Sequence, residues 1–146
     1  MAVTPALKLG KNYRLQVGDG AGTEVFTSIL GEQSLIMKTN PDQIPADSKD
    51  DGDYKARYYG QQEVTISVSG VTKIPDVALS RLDTQRKVLG STVNIQIVDT
   101  AASNAVKWLG SVSVGSFTAN FENKSAVSYQ FELAANAAPT TDTLYA

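Results

Sequence analysis

From Glu63 onward the chain alternates, with Val64, Ile66 and Val68 on one side and Glu63, Thr65, Ser67 and Ser69 on the other. A period of two marks a strand with one buried face, and Gly70 with the turn after it ends the run. The alternation then returns. Thr92 to Asp99 sets Val93, Ile95 and Ile97 against Asn94 and Gln96, and Val106 to Val114 sets Trp108, Val112 and Val114 against Ser111 and Ser113. At Gly115 and Ser116 the phase slips, making Phe117, Ala119 and Phe121 the apolar set; a one-residue bulge or a tight turn is the natural cause. In the final run Val127, Tyr129, Phe131 and Leu133 face inward, and Ser128, Gln130 and Glu132 face outward.

Upstream, Asn12 to Val17 reads as a short strand closed by the Gly18-Asp19-Gly20-Ala21-Gly22 cluster. Val25 to Leu30 and Gln33 to Lys38 read as a strand pair broken at Gly31. The period changes to that of a helix only between Pro75 and about Lys87. Pro75 suits the first helical position, Asp76 the positive N-terminal end, Arg86 and Lys87 the negative C-terminal end, and Gly90 the close. Ala78, Leu79, Leu82 and Leu89 form its apolar stripe.

Asn40 to Gln62 lacks either period and is too long for an ordinary connection, so it is expected to be a long polar loop, either solvated or used for docking. It holds Asp42, Asp47, Asp50, Asp51 and Asp53 beside Lys55, Arg57, Tyr58 and Tyr59. An N-terminal arm, residues 1–11, and a small-residue tail, residues 135–146, flank a single domain. The tail is expected to stay loose unless a neighbour pins it. About seven strands with one helix predict a mainly β fold of two packed antiparallel sheets, a β-sandwich or flattened barrel.

Composition narrows the chemistry. The chain has no cysteine and no histidine, which leaves out the commonest general base, the commonest metal ligand and the only thiol nucleophile. No cofactor or metal is expected. A formal charge of -2 provides no basic footprint for gripping nucleic acid. Met1 to Leu9 is too short in apolar residues for a leader, and no run approaches membrane-spanning length, so the expectation is synthesis in the cytosol without a membrane role. Between Glu63 and Ala134 the β-patterned runs carry a single basic residue, Lys107. Soluble sheets commonly use lysine to block unwanted edge pairing, so its scarcity marks surfaces intended for pairing, or for contact with something that basic residues would grip.

Motif-like fragments fail on inspection. Gly18-Asp19-Gly20 has Thr23 where a dinucleotide fingerprint needs its third glycine, and a strand follows instead of a helix. Asp47, Asp51 and Gly52 match three calcium-loop positions, but Lys49 and Tyr58 stand where ligands are required. Gly110 to Gly115 has the wrong spacing for a nucleophile elbow and no histidine to serve it. Glu122 and Glu132 are conceivable as a glycosidase pair across a hairpin, although solvent-side hairpin positions explain them more simply.

The order of strand pair, long polar loop, Tyr59-Gly60 leading into Glu63-Val-Thr-Ile-Ser-Val-Ser-Gly70, helix, and strands ending in Val127-Ser-Tyr-Gln-Phe-Glu-Leu133 resembles the major tail proteins of long-tailed bacteriophages and gene-transfer particles. The resemblance spans Asn12 to Pro139. It implies hexameric rings whose inner sheets join into one β-barrel, stacked as a tube through which DNA passes without specific binding. A tape-measure protein, a tail terminator and baseplate or distal tail proteins are the implied partners, and the virion tail, assembled in the host cytoplasm, the implied location. Glu63, Thr65, Ser67, Ser69, Ser128, Gln130 and Glu132 become candidates for the lumen wall, while the loop from Asp42 to Tyr59, the arm and the tail become ring contacts. The tube proteins of contractile tails and type VI secretion are variants of this reading. The competing class is a monomeric sandwich binding carbohydrate or protein through Trp108, Tyr58 and Tyr59.

Overall fold

The computed structural model describes residues 7–45, 57–88 and 90–145. Its strands are β1 (Tyr13–Val17), β2 (Thr27–Ser28), β3 (Glu32–Pro45), β4 (Arg57–Val71), β5 (Val93–Asp99), β6 (Ala105–Asn120), β7 (Ser128–Ala135) and β8 (Thr141–Asp142), with one helix, α1 (Val77–Arg86). The architecture is mainly β and antiparallel, as the alternation predicts. Hydrogen bonds join the strands in the order β2-β1-β5-β6-β7-β4-β3, with β8 added on β6. All eight strands thus belong to one continuous hydrogen-bonded sheet.

One strand accounts for this continuity. The first half of β6 pairs with β5 and the second half with β7, and the register shifts between Val114 and Ser116. The predicted bulge thus carries β6 from one layer into the other. Inward side chains from both layers, including Leu15, Ile95, Trp108, Ile66, Phe131 and Leu133, fuse into one buried cluster. Each such aliphatic or aromatic side chain contributes about 1.5–3 kcal/mol through burial. The two ends of the curled sheet meet where the Leu15 N–H of β1 donates to the Glu32 carboxylate at the start of β3, at 3.1 Å.

Several local expectations change. The segments on either side of Gly31 do not pair with each other: β2 lies on β1 and β3 on β4. Gly31, at φ +71°, turns the chain from one end of the sheet to the other. The supposed long loop is largely a β-hairpin, because β3 runs on to Pro45 and β4 begins at Arg57. Mixed charge and two prolines hide the strand period there. The tail is pinned by its own subunit: Asn136, Thr140 and Thr143 donate backbone N–H groups to Ser111, Leu109 and Lys107 of β6. It fills the edge that β7 leaves open where it ends at Ala135. Phe121, expected inward, is exposed beyond the end of β6.

Pro75 precedes the helix, and Asp76 is the N-cap. One Asp76 oxygen accepts from Leu79 N–H at 3.1 Å, and the other from Leu30 N–H at 3.0 Å. The cap therefore also ties α1 to the turn before β3. Ala78 and Leu82 are buried, and Leu79 packs beside them; Leu89 lies outside the described residues. Replacing Asp76 by Ala removes both bonds and is expected to cost about 1–2 kcal/mol, read as a lower midpoint in urea unfolding.

Candidate functional site

The core faces of β4 and β7 leave a polar face behind them, and register decides which residues share it. Ser67 of β4 stands opposite Glu132 of β7, Ser69 opposite Gln130, and Val71 opposite Ser128. Since side chains alternate, all seven lumen candidates, Glu63, Thr65, Ser67, Ser69, Ser128, Gln130 and Glu132, fall on one face of two neighbouring strands. The neighbours on each side widen it. From β3 come Ser34 opposite Ser69, Ile36 opposite Ser67, Lys38 opposite Thr65 and Asn40 opposite Glu63. From β6 come Ser116 opposite Glu132, Thr118 opposite Gln130 and Asn120 opposite Ser128. Those flanking residues were missed because alternation in one strand cannot reveal its pairing partner. The β3 period was legible, but it was assigned to the wrong neighbour.

The result is a four-stranded face of hydroxyls and amides carrying Lys38, Glu63 and Glu132. Its two side edges are both open. Beyond Ser113, β6 pairs only with β7, and β3 pairs only with β4, among the described residues. Unpaired N–H and C=O groups on both sides make a template for further strands.

At one end the hairpin overhangs. β7 supports β4 only from Thr65 to Val71. From Arg57 to Val64 the only partner among the described residues is β3, with Tyr58 opposite Ile44 and Tyr59 opposite Gln43. At a rise of about 3.3 Å per residue, the projection is about 25 Å long. Asp42 is exposed on it, whereas Asp47, Asp50, Asp51, Asp53 and Lys55 lie outside the described residues.

The glycosidase pairing fails on distance. Glu122 sits in the β6–β7 turn, accepting from Asn120 Nδ2 at 3.2 Å, while Glu132 stands opposite Ser116, six residues back along the chain from Glu122. Their separation is about 20 Å at strand rise, well beyond the roughly 5–10 Å that the two glycosidase geometries require. No three His, Cys, Asp or Glu side chains converge as a metal site among the described residues.

A carboxylate is buried at the seam instead. The Glu32 side chain is 4% exposed and reaches Arg14 Nε at 3.4 Å. Burial pushes its carboxyl above the usual range, and the opposing pull of Leu15 N–H and Arg14 is the weaker influence. A group with a raised folded value stabilises the fold most below its unfolded value, and that contribution is lost as pH rises through the folded value. Glu32→Gln keeps an oxygen to accept from Leu15 and removes the buried charge. The variant is expected to match or exceed the parent at pH 7, and to lack the parent's decline in stability as pH rises from 4.5. Melting temperatures across pH check this; a variant clearly less stable at pH 7 would mean that the ion pair outweighs desolvation.

Residues 8–141 match the sequence pattern of the family described as phage tail tube protein. The chain belongs to that family. It is a structural tail tube subunit of a virion tail. The fold agrees with solved relatives. The tail of an empty gene transfer agent particle, refined with C6 symmetry, aligns at a TM-score of 0.74 with 18% identity, over 92% of this chain and 98% of that one. The tail tube of SPP1 aligns at 0.74 with 14% identity, over 93% and 81%. A baseplate chain of the anti-feeding prophage aligns at 0.61 with 9% identity, over 99% and 100%. No curated sequence is significantly similar, so the fold likeness and the family pattern carry the relationship. No helix among the described residues is long and apolar enough to cross a membrane.

Proposed function

We propose that copies of this tail tube subunit close into hexameric rings by joining the open edge of β3 to the open edge of β6 in the next copy, and that the four-stranded polar face becomes the wall of the bore. The observation that carries this reading is the polar face flanked by two unpaired edges. Strand direction supports it. The order β6-β7-β4-β3 is antiparallel throughout and even in number, so a rotated copy presents β6 antiparallel to β3 and the ladder continues without a break. Such a head-to-tail contact closes when the rotation closes, as sixfold symmetry requires. Closure also removes the edges, which explains why they carry little lysine.

Hydroxyls, amides and a small excess of carboxylate give DNA phosphates nothing to release counterions against, so the duplex slides and is not held. The subunit does not catalyse; its work is polymerisation around a length-setting tape-measure protein, bounded by a terminator and a baseplate. The projecting hairpin reaches toward an adjacent ring. Negative-stain microscopy of purified protein is expected to show sixfold rings or tubes. A stable single copy that binds carbohydrate or protein through Trp108 would overturn the reading, and Trp108, 1% exposed, has no face to offer one.

A further inference from the structure

A cleft of about 560 Å³ opens where the two ends of the sheet meet, between the approach to β1 and the first residues of β3. Tyr13 and Leu35 line it and also pack against the core, so its inner part is apolar. Lys11, Arg14 and Glu32 line it as well. Arg14 is engaged by the buried Glu32 carboxylate, whereas Lys11 is exposed and has no ion-pair partner among the described residues. The cleft therefore joins an apolar interior to a surplus positive charge. Its bordering strands are unpaired on this side: among the described residues β3 pairs only with β4, and β1 meets β2 only at Gln16 and Val17.

At the opposite edge of the polar face, β6 ends in a turn of complementary character. Phe121 is 76% exposed, and Glu122, the nearer of the turn's two charges, adjoins it. The Glu122 carboxylate accepts from Asn120 Nδ2 and Ser125 Oγ, which hold it beside the ring. Register puts turn and cleft at the same end of the sheet: Glu32 stands opposite Gly70, Gly70 opposite Tyr129, and Tyr129 opposite Ala119. We infer that the β6–β7 turn of one copy seats in the β1–β3 cleft of the next copy around the ring, with Phe121 against Tyr13 and Leu35 and Glu122 beside Lys11, and that this seat fixes the register of ring closure. The inference rests on the edge-joining reading and deepens it. Charge complementarity and continuity with the joined edges select a second copy of this chain as the occupant. A polar ladder needs such a key. Sliding β6 along β3 by two residues leaves every side chain on its own face, so alternation rejects odd slips and tolerates even ones. Phe121 in a bounded cleft does not tolerate them, because a slip of two residues carries it about 7 Å away.

The chain has no cysteine, so introduced thiols report without background. Copies carrying Asn123→Cys, which keeps Phe121 and Glu122, are mixed with copies carrying Gly10→Cys or Gln33→Cys, then assembled and oxidised. Disulfides joining position 123 to at least one of positions 10 and 33 are expected, each between two copies by construction. Well-formed rings linked at neither pair would overturn the seat. In parallel, Glu122→Lys and Lys11→Glu change exposed side chains, so circular dichroism and thermal midpoint are expected to stay close to the parent. Each is expected to raise the concentration needed for assembly at least about tenfold, and the two together to recover to within about threefold of the parent. Single variants that assemble like the parent, or a double variant no better than either single, would overturn the pairing. Phe121→Ser tests the register: folded copies are expected to give open arcs and rings of unequal size, and uniform sixfold rings would overturn the key. Unmodified protein that stays as single copies defeats the edge-joining reading itself, and the seat falls with it; that failure is visible before any variant is made.

Discussion

Gln130→Lys combined with Glu132→Gln is expected to leave the subunit folded and the tube assembled, while DNA delivery falls by about tenfold or more. Both positions are exposed on β7, on the face opposite the core, so neither change disturbs packing. The pair removes one carboxylate and adds one ammonium per copy, which turns the faintly acidic wall basic. Repeated around each ring and along the tube, every added ammonium becomes a site where a phosphate displaces counterions, and affinity accumulates with each contact. A duplex that should slide would instead be held. Register determines the choice of positions. Ser67→Lys would place its ammonium directly opposite Glu132, where the cross-strand pair would neutralise much of it. Lysine at position 130 faces Ser69 and Thr118, with no carboxylate opposite. Transduction or infection titre, measured on particles whose tails look normal by microscopy, checks the outcome. Unchanged titre from intact tails would place this face away from the bore.

The comparison of chain and fold turns on which physical signal each element needs. β4, β5 and β7 were legible because a one-sided core forces strict alternation, and their inward residues are the buried ones. The bulge in β6 was legible for the same reason, as a slip in phase. Pairing was not. Whether β3 joins β2 or β4 depends on contacts between distant segments, and alternation is blind to partners. The hairpin from Asn40 to Gln62 was hidden because its strands leave the sheet and have no core face to alternate against. The polar face was therefore half legible: its β4 and β7 residues could be named from period alone, whereas Lys38, Ser34, Ser116 and Thr118 needed the register. Lys38 adds a cation to this face, since it stands opposite Thr65 and close to Glu63 along the neighbouring strand.

Gly70→Ala and Gly31→Ala are each expected to destabilise the subunit by about 3–5 kcal/mol, a large share of the roughly 5–15 kcal/mol that holds a domain together. In the sequence the two glycines look like breaks; in the fold they allow two backbones to touch. A Cβ on Gly70 would lie 2.2 Å from the Gly31 carbonyl oxygen, and one on Gly31 would lie 2.2 Å from the Val71 carbonyl oxygen. Both obstructions are backbone atoms, so no flexible side chain can swing aside. Relief requires β3 and β4 to separate at this end, which breaks the Val71 N–H to Gly31 bond. Gly31 carries the further cost of its φ of +71°, about 1–2 kcal/mol for a residue with a Cβ. Because both changes open the same approach, the double variant is expected to cost well below the sum of the two. Urea unfolding of the three variants measures this, and a loss under about 1 kcal/mol for Gly70→Ala would show that the strands part freely. The approach also anchors Leu30, whose N–H reaches the Asp76 cap, so either substitution is expected to loosen the start of α1 together with the β3–β4 end.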